Sequence, residues 1–217
     1  MGHLARLMRV LRALRERRPE LDILLLTDAP DLSLPRSLSI ATVQLPRFRF
    51  TNGDDFKERP EFLSMPNREL RDLRARLILE AGRAFAPDLV LADTNPHGKR
   101  DELKPLLTAM RAQGHTRTCL MMRDIPCPPD ESFKLNGPVD RVRQHAALYD
   151  LMLIAGDRRF FDPVQAYGWP EDVARRVEVV GFVTPPVDTS TRQEALAAFP
   201  QLQPNHPLVV ASFGGGW

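Results

Sequence analysis

Short apolar segments alternate with amphipathic segments along most of the chain. Residues 3–18 repeat leucines at helical spacing with arginines on the opposite side, which predicts an amphipathic helix. Residues 22–27 (DILLLT) form a short apolar run closed by Asp28, a pattern typical of a strand that is buried on both faces. The chain therefore begins with a helix followed by a buried strand.

The same alternation continues to residue 180. Strands are predicted at 40–45, 88–92, 117–122, 151–155 and 177–180, and helices at 68–85, 99–113, 139–148, 160–167 and 170–176. Strands that alternate with helices favour an α/β fold, here a Rossmann-like parallel sheet with helices on both faces.

Two stretches break this rhythm. Residues 47–66 are polar, contain Asn52-Gly53 and two prolines, and are predicted to form a long loop, which in a compact domain either binds something or is disordered. Residues 183–206 are rich in proline and are predicted to be an interdomain linker with one short helix at 191–199. On this reading residues 1–182 form one domain, and residues 207–217 are the first strand and glycine-rich loop of a second.

Composition excludes several classes of protein. The net charge of +2 requires no polyanionic partner, and no nucleic acid is expected because the arginines of the first helix lack neighbouring aromatic residues. No apolar run of about 18 residues and no signal-peptide pattern occur, so the chain is expected to be cytoplasmic. Peripheral contact of the basic first helix with the inner membrane face stays open. The two cysteines lack ligand spacing, so no metal is predicted.

Polar residues follow nearly every predicted strand. Because ligands bind outside the carboxyl ends of parallel strands, these residues predict a polar cleft, with helix capping as the structural alternative. They are Asp28, Asp93, Asn95, His97, Arg123, Asp124 and Asp157. The chain has no GxxxxGK[ST], complete GxGxxG, GxSxG or HExxH motif, which argues against P-loop hydrolysis, hydride transfer, serine hydrolysis and zinc proteolysis.

Several segments, in order, resemble one enzyme family. Gly2–Arg6 (GHLAR), followed by a helix, is similar to the GxGHxxR loop after the first strand of GT-B glycosyltransferases. The closer resemblance is to a bacterial group of predicted glycosyltransferases related to MurG (glycosyltransferase family 28-like). The other matching pieces are 52–54 (NGD), 73–98, 121–125 (MMRDI), 151–170, 179–183 (VVGFV) and 209–216 (VVASFGGG). The resemblance covers almost the entire chain.

This resemblance implies a two-domain enzyme with a cleft between Rossmann-like halves. The amino-terminal half takes a hydroxyl acceptor and the carboxy-terminal half binds a nucleotide-sugar donor. A lipid-linked acceptor would suit the basic first helix, and a soluble acceptor would suit it equally well. Gly214, Gly215 and Gly216 match the loop that approaches the donor phosphates, where the absence of side chains lets backbone N–H groups reach an anion. Hexosyl or N-acetylhexosaminyl transfer without a cofactor or metal is the implied activity.

The resemblance also nominates site residues. His3 matches a catalytic base and Asp93 the carboxylate that orients it, a pairing suited to proton transfer near neutral pH. The candidate contacts to the acceptor or to an anion are Gly2, Arg6, Asn95 and Arg123. A structural role for His3 at the start of the helix is the alternative.

Two departures from the family shape the functional expectation. The family's first strand should precede Gly2 and its donor domain should follow Trp217, so we expect a fragment that lacks its first strand and is inactive without a donor domain in cis or trans. Two other readings stay open: a nucleotide-sugar 2-epimerase of the same fold, and a noncatalytic truncated binding protein or subunit. The sequence leaves open the donor, the acceptor, the stereochemical outcome and the oligomeric state.

Overall fold

The computed structural model describes residues 2–51, 57–123, 125–129, 134–184 and 189–199 of the 217-residue chain. The helices are α1 (Gly2–Arg17), α2 (Ser33–Ser37), α3 (Asn67–Phe85), α4 (Lys104–Gln113), α5 (Val139–Ala146), α6 (Pro163–Ala166), α7 (Glu171–Ala174) and α8 (Thr189–Ala198). The strands are β1 (Leu24–Thr27), β2 (Ala41–Gln44), β3 (Phe48–Thr51), β4 (Lys57–Pro60), β5 (Leu89–Asp93), β6 (Arg117–Arg123), β7 (Leu151–Ala155) and β8 (Val177–Val179). A short 3₁₀ turn spans Lys99–Asp101.

A parallel sheet of four strands, in the order β5-β6-β7-β8, forms the centre of the fold. β6 is its best-covered strand, since Thr118 to Met122 are all buried. Such a continuous apolar run is what a parallel strand needs when helices cover the sheet. The predicted α/β, Rossmann-like fold is confirmed.

A separate parallel sheet of two strands pairs β1 with β2. Within the described residues no hydrogen-bonded ladder joins this pair to β5, the nearer strand of the larger sheet in chain order. Helix α1, and no strand, precedes β1 in that part of the chain.

The main hydrophobic core lies on one side of the four-stranded sheet. Leu120 and Met122 of β6 join Met152 and Ile154 of β7, positions that alternate along each strand and therefore share a face. This face packs against α5 and α7. A second cluster, around Leu106 and Met110 of α4, includes Leu26, Val43 and Val90 and so connects both parallel sheets through side chains.

The predicted long loop at 47–66 is wrong. β3 and β4 form an antiparallel hairpin in which Phe48 lies opposite Pro60 and Arg49 opposite Arg59. Arginines alternate with phenylalanines in RFRF, a period of two that is typical of a strand, and Asn52-Gly53 is a common hairpin turn. Residues 52–56, at the tip, lie outside the described residues.

The helix predicted at 3–18 is confirmed by α1, which also includes the residues that the resemblance matches to a loop. Gly2–Arg6 is already helical, because the spacing of Leu4, Leu7, Met8 and Leu11 extends one apolar face back to the helix start.

Other helices differ from their predicted bounds. The predicted helix 99–113 is divided into the 3₁₀ turn and α4, and the predicted helices 160–167 and 170–176 shorten to single turns, α6 and α7. α2 was not predicted.

α8 agrees with the helix expected at 191–199. The segment 207–217, including Gly214, Gly215 and Gly216, lies outside the described residues, and so does Asp124. The division into a domain at 1–182, a linker at 183–206 and a second domain from 207 stays a prediction.

One buried guanidinium connects both sheets at their carboxyl ends. Arg74 of α3 donates from Nε to Glu102 Oε2 at 2.5 Å and from Nη2 to Glu102 Oε1 at 2.7 Å. Its Nη1 donates to the carbonyl of Pro46 at 2.5 Å and lies 3.2 Å from Asp28 Oδ2. Asp28 follows β1, Pro46 follows β2 and Glu102 follows β5, so three strand ends converge on this side chain.

We expect Arg74→Met to lower the free energy of unfolding by about 3–5 kcal/mol, because it leaves the Glu102 carboxylate buried without its partner. Arg74→Met/Glu102→Met should recover part of this loss, since it removes both charges. Arg83→Met, at an exposed site in the same helix, should change stability by less than about 0.5 kcal/mol. Urea denaturation followed by circular dichroism measures all three; equal stability of Arg74→Met and Arg83→Met would contradict the bridging role.

Candidate functional site

The residues nominated from the sequence that the structure brings together lie at the carboxyl end of β5. The start of α1 approaches the end of this strand, and the segment 94–101 follows it. In open parallel sheets this edge is where ligands bind.

Arg6 joins α1 to the end of β5. Its Nη2 donates to Asp93 Oδ1 at 2.5 Å and to Thr94 Oγ1 at 2.7 Å. Both charged side chains are only 15% exposed, so the pair is screened less than a surface ion pair. Arg6 Nε is buried and has no hydrogen-bond partner within the described residues. The structure thus brings together two residues that the sequence nominated separately, Arg6 and Asp93.

The segment after β5 holds three of the non-glycine residues with positive φ found in the described part of the chain. They are Thr94 at 64°, Arg100 at 52° and Asp101 at 69°. Thr94 is β-branched, which makes this conformation costly, and its N–H donates to the carbonyl of Met121 on β6 at 2.7 Å. Strained backbone held by its surroundings is concentrated at functional sites, which marks this segment as a candidate.

Asn95 adds an unpaired acceptor to the same segment. Its N–H donates to the carbonyl of Asp93 at 2.7 Å, while its side-chain Oδ1 is buried and has no hydrogen-bond partner within the described residues. A buried amide oxygen without a partner costs free energy, so it is a candidate contact for a ligand donor.

A pair of histidines lies behind this segment. His97 is 1% exposed, and its Nδ1 lies 3.2 Å from His145 Nδ1 of α5 and 3.4 Å from Asp101 Oδ1. Lys134 donates to the same Asp101 oxygen at 2.6 Å. Because the carboxylate only accepts, it favours the proton on His97 Nδ1, with His145 Nδ1 as an acceptor. His97 Nε2 is then a buried acceptor, and no described residue donates to it.

Both imidazoles are held neutral. Burial, supported by the charge of Lys134, lowers the pKa of His97, although Asp101 opposes the change. Burial and the neighbouring His97 lower the pKa of His145 from 6.5 to about 4. The sequence reasoning had placed His97 after a strand but missed His145, because a single histidine in an amphipathic helix carries no signal of its partner.

The β3–β4 hairpin is attached to the segment after β5 through Glu58. This buried carboxylate lies 2.7 Å from Lys99 Nζ, 3.1 Å from Arg100 Nε and 3.6 Å from Arg71 Nη2. Burial alone would raise the pKa of Glu58, but hydrogen bonds and charge from Lys99 and Arg100 outweigh it and leave the pKa lowered. The hairpin is therefore fixed beside the candidate site by charge pairing.

The remaining nominated residues are separated or undescribed. Arg123 is exposed at the end of β6, one strand away from Asp93. Gly2 and His3 lie in the first turn of α1, one turn before Arg6, and the structure does not describe the His3 side chain.

Among the residues that the structure describes, no group of three or more His, Cys, Asp or Glu side chains is arranged to hold a metal ion. No helix in the same residues is long and apolar enough to cross a membrane.

Comparisons with known proteins add little. No family model matches the chain, and no curated protein matches it. Among solved structures, it is similar to a protein from Listeria monocytogenes proposed to be a UDP-N-acetylglucosamine 2-epimerase, with 11% sequence identity and a TM-score of 0.41. The match covers 88% of this chain and 62% of that protein, so this chain spans less than two thirds of its length. A TM-score this low carries no argument about function, and the MurG relationship gains no support from these comparisons.

The histidine pair gives a pH prediction. A lowered folded-state pKa means that stability is complete above about pH 6.5 and falls as the pH drops towards the folded value, since only the unfolded chain binds protons in that window. We expect the fall in unfolding free energy between pH 6.5 and about 4 to be smaller in His145→Gln than in the wild type.

His115→Gln is the matched control, because His115 is exposed in the turn between α4 and β6. Urea denaturation at closely spaced pH values measures the slopes, and the other groups facing the pair, Asp101, Lys134 and Arg141, are common to all variants. Equal slopes in the wild type and His145→Gln would show that the pair does not titrate as described.

Proposed function

We propose that this chain is the acceptor-side half of a glycosyltransferase that transfers a sugar from a nucleotide-sugar donor to a hydroxyl acceptor. The observation that carries the proposal is the contact of Arg6 with Asp93 and Thr94, which joins the GHLAR segment to the carboxyl end of β5. The ordered sequence resemblance to MurG-related enzymes supports the same activity. It supplies the reaction class, which the geometry alone does not specify.

In the proposed reaction the acceptor hydroxyl gives its proton to the imidazole of His3. The acceptor oxygen attacks the anomeric carbon of the donor sugar, and the bond to the nucleoside diphosphate breaks with its electron pair on the phosphate oxygen. General-base assistance of this kind is worth about 10²- to 10⁴-fold in rate. Asp93 would orient the imidazole and stabilise its protonated form.

The ion pair changes the role proposed for Asp93. Its Oδ1 contacts Arg6, which fixes the carboxylate relative to α1, and the proposal assigns Oδ2 to His3. His3 lies one helical turn before Arg6, a spacing that places two residues on neighbouring positions of one helix face. The start of α1 would therefore supply both the base and the cation that holds its orienting carboxylate.

Further contacts are proposed for the acceptor. Arg6 Nε is a buried donor and Asn95 Oδ1 a buried acceptor without partners in the described residues, so each is proposed as a separate contact to an acceptor hydroxyl group. Gly2 and Arg123 are proposed as weaker anion contacts. Gly214, Gly215 and Gly216 are proposed to approach the donor phosphates. A lipid-linked acceptor and contact of the exposed arginines of α1 with an anionic membrane are compatible proposals.

The test uses the protein expressed from its complete reading frame, including any sequence that flanks residues 1–217. Purified enzyme is incubated with UDP- and GDP-sugars and a panel of hydroxyl acceptors, and both nucleoside diphosphate release and glycosylated product are quantified. We expect His3→Ala to lower kcat by about 10²- to 10⁴-fold with little change in KM for the donor. Asp93→Asn should also lower kcat, because it weakens stabilisation of the imidazolium.

Arg9→Ala is the control, since Arg9 is exposed on the same helix one turn after Arg6. Its turnover should match the wild type. Donor-sugar isomerisation without any acceptor would instead identify a 2-epimerase, and full turnover of His3→Ala would remove His3 from the mechanism.

A further inference from the structure

An open groove lies at the carboxyl ends of the last two strands of the sheet. It has a volume of about 560 Å³ and is lined by Gly156–Arg158 after β7, by Val177–Val179 of β8, and by Gly181. This volume is within the range of small-molecule sites in proteins. Of the polar residues that the sequence predicts at a ligand-binding cleft, Asp157 lines this groove, whereas the residues nominated for the acceptor and the donor phosphates do not.

Two exposed phenylalanines stand beside this groove. Phe160 is 78% exposed and Phe182 is 52% exposed, and each follows a groove-lining residue within two positions. Their ring centroids are 6.2 Å apart and the ring planes are inclined by 57°. Val180, two residues before Phe182, is also exposed, at 51%. Large apolar residues exposed together, unlike single ones, mark a surface that binds something.

Backbone hydrogen bonds hold Phe160 itself and, on the other side of the pair, Val180, two residues before Phe182. Phe160 N–H donates to the carbonyl of Asp157 at 2.9 Å, and Val180 N–H donates to the carbonyl of Ile154 at 3.0 Å. Gly181 has a φ of 82°, a conformation that favours glycine and that redirects the chain at Phe182. Surfaces held in this way lose little entropy when they bind a ligand.

The polar groups of the groove suit a neutral ligand rich in hydroxyl groups. The side-chain carboxylate of Glu178 on β8 is exposed and accepts no hydrogen bond from the described residues, so it can accept from a ligand. The Asp157 carboxylate is held by Arg159, at 3.0 Å from Nε to Oδ2 and 2.9 Å from the backbone N–H to Oδ1. The carboxylates of Asp157 and Glu178 balance the guanidinium groups of Arg158 and Arg159, so the groove has no excess positive charge to attract a phosphate-bearing ligand such as a nucleotide.

We propose that the groove and the Phe160–Phe182 pair form a saccharide-binding subsite. The apolar C–H face of a pyranose would pack on the rings, while its hydroxyl groups would donate to Glu178 and accept from Arg158. Binding by this subsite is independent of catalysis. Only the role of the subsite, which is to hold a saccharide acceptor for transfer, rests on the proposed function.

The test is saturation-transfer NMR of this chain with methyl glycosides of glucose, mannose, galactose and N-acetylglucosamine, and with UMP. We expect at least one glycoside to bind, and Phe160→Ala and Phe182→Ala each to raise its Kd by about fivefold, in line with the worth of an aromatic contact. Phe160→Trp should keep the affinity, because the indole offers the same kind of face.

Phe62→Ala is the matched control, since Phe62 is 85% exposed next to the β3–β4 hairpin, and it should leave the Kd unchanged. Circular dichroism checks that all variants fold. Absence of glycoside binding, equal loss in Phe62→Ala, or preferential binding of UMP would overturn the subsite. The binding experiment contains no sugar donor, so glycoside binding that depends on both rings would support the subsite even if the enzyme transferred no sugar. Sugar transfer that neither alanine variant changes would overturn only the acceptor role.

Discussion

The Arg74 guanidinium is the interaction on which the geometry of the candidate site depends. It contacts Asp28 after β1, the Pro46 carbonyl after β2, and Glu102 in the segment after β5. A guanidinium presents five donors in a fixed plane, so a single side chain can align three backbone segments. The cost of burying its charge is offset by the two-point contact with Glu102, and that contact also fixes the start of α4 relative to the strand ends.

The segment between β5 and α4 is held from several sides and still carries unfavourable features. Glu102 is tied to Arg74, and Lys99 and Arg100 are tied to Glu58 of the hairpin. Within this frame Thr94 keeps a positive φ and Asn95 Oδ1 stays unpaired. A chain free to relax would remove both costs, so the surrounding ion pairs are what maintain them. Such maintained strain is the usual physical basis of a preorganised site.

The sequence predicted the repeating strands and helices well because each carries a local signal. β7 has the predicted bounds, since its apolar run is closed by Asp150 and Gly156. The hairpin was missed because its apolar alternation is only four residues long on each side and is diluted by arginines, although the Asn52-Gly53 turn was a usable signal. The division of the 99–113 helix was not predictable, because it arises from positive φ at Arg100 and Asp101 that the contacts of Glu58 and Lys134 support.

For the candidate site, position was predictable and pairing was not. Polar residues after strands follow from sheet geometry, so Asp93 and Asn95 could be nominated from spacing alone. That Arg6 contacts Asp93 depends on how α1 lies against the sheet, and the sequence specifies only which face of α1 is apolar. The resemblance at Gly2–Arg6 is to a loop, whereas α1 begins at Gly2, because a short motif does not specify where a helix begins.

The two parallel sheets are connected in the described residues by side chains where a continuous sheet would use backbone hydrogen bonds. β5 shows the consequence: its first residue, Leu89, is 53% exposed, while the central residues of β6 beside it are buried throughout. Among the described strands, β1 and β5 each have one parallel edge with no hydrogen-bonded neighbour, a feature that proteins usually cover. Arg6 spans from α1 to β5, and Arg74 spans from α3 to β1, β2 and the segment after β5. These two arginines align the strand ends, which backbone hydrogen bonds would align in a continuous sheet. The contacts that shape the candidate site therefore also hold the two sheets in position.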